Sequence, residues 1–271
     1  MNPPLLILTL VLTLGAVCLL YGFFLEPCWI RARKFRIAGK TGQEAAGKTF
    51  LFFSDLHTGA RTSRRKLDRQ MRAIMNMKPD AIFFGGDLVE ERTPLYQPDF
   101  RAMVVDALSS LEAPLGKWAI YGNHDVEAPR FRQWVTDVLE ESGFTLLENQ
   151  GVELEGLPVW GFANTHHGSP VFEADQDGRF TLFLVHESDW FPEALPQKSQ
   201  GLVLTGHSHY GQVTFFGLPL IRPAGAKKYW RGHYPLGENL SMIVSAGLGT
   251  VHIHARFFAR PDLLFLRFGE K

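Results

Sequence analysis

Five times along this chain an apolar run breaks off into a short polar segment that carries aspartate, asparagine or histidine. The segments are "TFLFFSDLH" (49–57), "AIFFGGD" (81–87), "KWAIYGNHD" (117–125), "RFTLFLVHE" (179–187) and "GLVLTGHSH" (201–209). One strand ending in an acid or an imidazole restricts little. The same ending repeated restricts the fold, because open α/β sheets gather their ligand-binding groups beyond the carboxyl ends of strands. In the last segment His207 and His209 stand one residue apart. With side chains alternating at period two they project roughly the same way, which suits a metal or a charged ligand.

Between the first runs the spacing predicts helices over 63–80, with Pro79 as a stop, over 99–112, and over Arg130–Ser142, closed by Gly143. After Gly143 the texture changes to short strands separated by turn residues, "FTLLEN", "GVELEG" and "LPVWGFA". Further apolar runs follow at 179–187, 200–209, 211–217, 240–249 and 262–268. This order predicts two sheets with helices outside them, a layered α/β arrangement. Hydrophobic residues make up 45% and charged residues 21% of the 271-residue chain, enough apolar material for a packed core and too much for a disordered chain. Lys and Arg (28) balance Asp and Glu (28), which argues against a nucleic-acid binder relying on a global positive field. Both cysteines, Cys18 and Cys28, lie in or beside the N-terminal apolar segment, so a metal farther along is left to His, Asp, Glu or Asn.

That N-terminal segment, Leu5–Leu25, has no charged residue and as a helix would span about 32 Å, one hydrocarbon core. It lacks the positive n-region and small-residue cleavage site of a signal peptide, so it reads as an uncleaved anchor. Arg31, Arg33, Lys34 and Arg36 follow it, and the positive-inside rule then puts the bulk of the chain in the cytoplasm, at the inner membrane on a single pass. The expected organisation is an anchor at 1–25, a polar connector at 26–47 and one catalytic domain at 48–271.

The strand-end residues in order are Asp55, His57, Asp87, Asn123, His124, His186, His207 and His209. Their motifs, "DLH", "GGDLV", "GNHD", "VHES" and "GHSH", resemble those of the calcineurin-like metallophosphoesterases over residues 48–271. Within that superfamily, "EPCW" (26–29), "GHSHYGQ" (206–212) and "SAGLGTVHIHARFFARPD" (245–262) are similar to a bacterial branch of small membrane-associated phosphodiesterases. Ser208, Tyr210, Ala246, Val251–His252 and the Glu187–Ser188–Asp189 run depart from the branch pattern; they flank the expected ligands and replace none.

The resemblance implies a four-layer α/β/β/α sandwich of two mixed sheets flanked by helices. It implies two divalent cations, Mn²⁺, Fe or Zn²⁺, bridged by Asp87. Asp55, His57 and His209 would complete one set of ligands, and Asn123, His186 and His207 the other. His124 would be a proton donor, oriented by Asp125. Relatives in the wider superfamily include enzymes that cleave the pyrophosphate of UDP-2,3-diacylglucosamine in lipid A assembly. Arg61 and the loop residues Tyr229, Trp230 and Arg231 are candidates for the substrate headgroup. The expected partners are the bilayer and a phosphorylated, lipid-linked substrate, with no nucleic acid and no protein partner. A tethered phosphodiesterase or phosphatase acting on a soluble phosphoester is the alternative, and a metal-free scaffold is a third reading. His166, His167, His252 and His254 receive no role.

Overall fold

The computed structural model describes residues 2–37, 45–172, 178–191 and 199–269. Residues 38–44 of the expected connector lie outside the described residues. Helix α1 (Pro3–Leu20) runs on through a π-helical stretch, Tyr21–Leu25, and a tight turn, Glu26–Cys28. The whole of Pro3–Cys28 is long and apolar enough to cross a membrane. Its leucines face outward on all sides, a distribution that gains nothing in water and suits a lipid surround.

The expected connector holds a strand. β1 (Arg31–Ile37) forms the edge of the first sheet. Arg33, Phe35 and Ile37 are half-buried while Arg31, Lys34 and Arg36 are exposed, a period-two pattern masked by its charge. β2 (Thr49–Phe53), β3 (Ala81–Phe84), β4 (Lys117–Ala119) and β5 (Phe144–Leu146) follow as parallel neighbours. Helices α2 (Arg64–Met75), α3 (Pro98–Ser109), the single turn α4 (Asn123–Val126) and α5 (Pro129–Glu141) connect them. α2 buries Leu67, Gln70, Met71 and Ile74, one helical face, and starts at Ser63, whose Oγ accepts the Lys66 N–H at 3.3 Å. It ends at Met75, short of Pro79, because Lys78 takes a left-handed backbone (φ 49°) before the chain enters β3.

The second sheet is built from β6 (Gln150–Leu154), β7 (Leu157–Gly161), β8 (Phe180–Leu184) and β9 (Gln200–Thr205). A two-strand hairpin, β10 (Thr214–Phe215) and β11 (Leu218–Pro219), leaves the layers, and β12 (Gly232–Pro235) and β13 (Leu240–Val244) return to the second sheet. β14 (Asp262–Phe268) inserts into the first sheet between β1 and β2. Both sheets are mixed, ordered β1-β14-β2-β3-β4-β5 and β12-β13-β9-β8-β7-β6.

Strand alternation sorts the core. Phe50 and Phe52 of β2 meet Leu182 and Leu184 of β8 and Leu202 and Leu204 of β9 between the sheets. Leu51 and Phe53 point the other way, onto α2, α3 and α5. Phe183 and Val203 face outward from the second sheet into an aromatic cluster with Phe162, Trp190 and Phe191. These strands are apolar along most of their length because both faces are covered. The stacking sets the carboxyl ends of β2, β3 and β4 against those of β8 and β9.

The edge of the first sheet is fastened to the second by Arg33. Its guanidinium pairs with Asp262 at 3.0 Å, donates to the Val244 carbonyl at 2.8 Å and reaches the Tyr210 hydroxyl. Asp262, buried, also accepts from Ser245 Oγ at 2.7 Å and the Ala246 N–H at 2.8 Å. Asp262→Ala would leave three donors without their acceptor. Urea unfolding in detergent should show a loss of about 3 kcal/mol or more; a loss below about 1 kcal/mol would rank the pair with ordinary surface bridges.

Candidate metal centre

Every strand-end motif delivers its side chains to one place. Asp55 and His57 follow β2, Asp87 follows β3, Asn123 and His124 follow β4, His186 follows β8, and His207 and His209 follow β9. Asp55, His57, Asp87, His207 and His209 all have positive φ, between 44° and 66°. For residues with a β-carbon that region is sparsely populated and costs about 1–3 kcal/mol each, so the surroundings hold them there. Two glycines make the close approach possible. A β-carbon on Gly122 would lie 2.1 Å from Asp87 Oδ1, and one on Gly206 would lie 2.5 Å from Asp55 Oδ2.

The candidate ligand atoms fall into overlapping groups. Asp55, His57 and His209 form one group and Asp87, His186 and His207 another, each with its nitrogen and oxygen atoms within 4.8 Å of one another. Asp87 Oδ2 lies between them, 3.1 Å from His186 Nε2 and 3.5 Å from His57 Nε2. On the first side His57 Nε2 is 3.0 Å from His209 Nε2, and Asp55 Oδ1 is 3.5 Å from His209 Nε2. Backbone carbonyls set the tautomers: His57 Nδ1 donates to Val89 O (3.1 Å), His186 Nδ1 to Gly85 O (2.7 Å) and His207 Nε2 to Ala224 O (2.7 Å). Each bond leaves the other ring nitrogen turned to the cluster, the usual arrangement behind a metal-ligating histidine.

Burial lowers His57 to about 3 and His207 to about 4, and holds His209 well below its ordinary range. These imidazoles are therefore neutral, with lone pairs available. Burial also pushes Asp55 up to about 6. His186 differs: burial opposes its charge, yet the Asp87 carboxylate beside it raises it well above the imidazole range. Asp87 is buried too, and His186 and His57 still keep it well below the carboxylate range. Asn123 Oδ1 is buried with no hydrogen-bond partner among the described residues. A polar oxygen left unpaired beside buried carboxylates and neutral imidazoles fits a cation-binding site of oxygen and nitrogen donors.

His124 stands at the rim. Its ring meets His57 edge-on at 5.2 Å and groups with His57 and Asp87, and its side chain is 22% exposed. The expectation that Asp125 orients it is corrected. The buried Asp125 carboxylate accepts the backbone N–H groups of Asp87 (2.7 Å), Leu88 (2.8 Å), Val89 (3.2 Å) and Gly122 (2.9 Å). It fixes the turn that carries Asp87. The acid beside His124 is Glu127, 3.6 Å from Nδ1. Asp125 sits three residues into the helical turn behind Gly122, a position that favours a carboxylate on free N–H groups.

The expected substrate residues divide. Arg61 is exposed in the turn after the first motif; burial first, and then the Arg61 charge, lower the pKa of His254, whose Nδ1 meets Thr250 Oγ1 at 3.2 Å. Trp230 is half-buried, and Arg231 lies 5.2 Å over the Tyr210 ring. Tyr229 is spoken for: its ring packs on Tyr234 at 5.0 Å, and its N–H donates to Asp189 at 2.9 Å. His166 is exposed beside His207, ring centres 6.0 Å apart, while His167 and His252 are exposed without a place at the cluster. Sequence reasoning missed Arg256. It is fully buried, and its guanidinium donates to the carbonyls of Ala246, Gly247, Gly249 and Ala259, tying the 246–259 loop beneath His209. A lone arginine in a loop carries no periodic signal.

A family model described as calcineurin-like phosphoesterase matches residues 48–236. The uncharacterised metallophosphoesterase YkuE of Bacillus subtilis is 30% identical over 90% of this chain and 87% of its own length. Phosphodiesterase YaeI of Escherichia coli is 29% identical over 91% of each chain. A zebrafish protein called a transmembrane protein with metallophosphoesterase domain is 24% identical, over 83% of this chain and 54% of its own.

Because Asp87 keeps His186 protonated in the metal-free chain, a cation at His186 Nε2 displaces a proton. Affinity should rise with pH across the neutral range. Calorimetric titration with Mn²⁺ or Zn²⁺ at pH 7, in buffers of different ionisation enthalpy, should reveal about one proton released per chain. No release would contradict the protonated His186.

Proposed function

The chain belongs to the calcineurin-like phosphoesterase family, and from that premise we propose a hydrolase with two divalent cations that acts on a lipid-linked phosphodiester or pyrophosphate. The observation that carries the two-cation reading is Asp87 Oδ2, one carboxylate oxygen within 3.5 Å of an imidazole nitrogen from each group. Asp55, His57 and His209 would hold one cation, Asn123, His186 and His207 the other, and Asp87 both. When bound, such a pair supplies positive charge to phosphoryl oxygens and acidifies a water.

The protein's own groups do the remaining work. Glycine-lined loops bring the phosphoryl group against the cluster, and the buried walls exclude bulk water. His124 would donate the proton to the leaving-group oxygen; its Nδ1 is on the Glu127 side, so that Nε2 would hand it over. Arg61, Trp230 and Arg231 would supply charge and stacking to a headgroup.

A lipid-linked substrate, such as a UDP-diacylated sugar, is supported by the N-terminal helix. An anchored site gains effective concentration for a substrate confined to the same bilayer and nothing comparable for a soluble one. The cluster Arg31–Arg36 supports a cytoplasmic active site at the inner membrane. A periplasm-dependent reporter at the C-terminus should stay silent; a strong signal would reverse the orientation.

His124→Ala should retain its metals while turnover falls about 10²–10⁴-fold, the usual worth of a positioned proton donor. Loss of metal with activity would make it a ligand instead. Arg61→Ala with Trp230→Ala, assayed in micelles, should cost more against UDP-2,3-diacylglucosamine than against a small chromogenic diester. A wild type that cleaves the diester and ignores the lipid would overturn the lipid reading in favour of a soluble phosphoester.

A further inference from the structure

The β10–β11 hairpin exposes Phe215, Phe216, Leu218, Leu220 and Ile221 within a single short excursion; Phe216 is 83% exposed and Ile221 75%. Among the aromatic rings of the described residues, Phe215 and Phe216 meet only each other, edge to face at 4.7 Å. An apolar cluster of this density on a surface marks a contact site. Its position says what covers it. Val213 bridges to Phe257, and the Thr214 N–H donates to the Phe257 carbonyl at 2.9 Å. The Phe257 ring meets Tyr21 edge-on at 5.8 Å, and the Arg256 N–H donates to Gly22 O at 2.9 Å. Glu26, buried, accepts the N–H groups of Phe258 (2.8 Å) and Ala259 (2.6 Å). One strip of chain, 256–259, therefore holds the end of the apolar helix on one side and the base of the apolar hairpin on the other.

The chemistry around this strip is that of a membrane–water boundary. Trp29 is exposed beneath the Arg260 guanidinium, 3.8 Å from its ring centre, and Phe258 is exposed beside it. Exposed Arg222 follows the hairpin directly, with exposed Lys227 beyond it. Aromatic rings and cations at the end of a span are the groups that settle at the headgroup level and meet anionic lipid.

We propose that residues 213–221 are a second membrane contact, inserting into the interface of the leaflet where the helix ends. The proposal rests on reading Pro3–Cys28 as a membrane span. It has a consequence for the site, because the hairpin lies between one candidate ligand and the carbonyl that orients another. It begins just after the turn His209–Gly211, and on its far side the Ala224 carbonyl accepts the His207 Nε2 proton at 2.7 Å. A hairpin seated in lipid holds the rim of the metal centre at the bilayer surface, where the phosphate of an embedded lipid lies.

The test uses the full chain with Cys18→Ser and Cys28→Ser in vesicles of phosphatidylethanolamine and phosphatidylglycerol. Single cysteines, Phe216→Cys, Leu12→Cys and Asp137→Cys, carry an environment-sensitive fluorophore, and lipids with quenchers at shallow or deep positions are added. The label at 216 should be quenched by shallow lipids, the label at 12 by deep ones, and the label at 137 by neither. Quenching at 12 with position 216 behaving like 137 would overturn the hairpin contact and leave the span standing. Quenching at neither 12 nor 216 would remove the span and the proposal with it. The triple change Phe216→Asp, Leu218→Asp, Ile221→Asp should lower turnover of a vesicle-embedded substrate by about tenfold and leave a soluble diester untouched, because only the embedded substrate depends on docking. Equal losses on both would contradict the proposal.

Discussion

The carboxylate of Asp87, buried between two sets of imidazoles, is the constraint around which the rest of the centre is arranged. An ionised carboxylate removed from water is costly unless positive charge and hydrogen bonds replace its hydration. Here Oδ1 accepts the His124 N–H at 2.9 Å, while Oδ2 faces His186 and His57. Burial opposes the carboxylate's charge, and the neighbouring His186 and His57 rings still hold it well below the carboxylate range. Asp55, on the other side of the cluster, shifts the opposite way, pushed up to about 6 by burial. Neutral His57, His207 and His209 supply no charge to either carboxylate, and the donor set of the cluster fits a cation.

That demand explains the strain around the centre. Five candidate ligands are held at positive φ, where tight turns aim their side chains inward from the strand ends. The cost is met by groups that contact no substrate. Asp125 gathers the N–H groups of the Asp87 turn, Arg256 gathers the carbonyls of the 246–259 loop, and Glu187 accepts from Asn164 and from Thr165 (2.8 Å), beside His207. Gly85 and Gly86 let the β3 turn pass against Phe52 and Gly122, where a β-carbon would come within 2.2 and 2.3 Å. The centre is thus preorganised by a surrounding layer of buried polar contacts.

The sheets and three helices were legible because their periodicities are strong: Leu67, Met71 and Ile74 mark one face of α2, and Phe50 and Phe52 alternate with Leu51 and Phe53. The gathering of Asp55, His57, Asp87, His186, His207 and His209 was legible because each follows an apolar run. What escaped depends on contacts between distant segments. β1 reads as a charged connector until Arg33 is seen paired with Asp262, far along the chain. Asp125 is next to His124 in sequence, yet its carboxylate turns away to the Asp87 backbone. Tyr229 looks like a stacking residue until Tyr234 and Asp189 claim it. In "GQVTFFG" the apolar residues suggest a sheet strand, and the structure instead leaves them on an exposed hairpin beside the end of the apolar helix.

The most direct test of the central claim is anomalous X-ray diffraction from crystals of the Mn²⁺-loaded chain. Two peaks should appear about 3.5–4 Å apart, with the Asp87 carboxylate between them, Asp55, His57 and His209 around one and Asn123, His186 and His207 around the other. A single peak, or a pair that Asp87 does not bridge, would contradict the account.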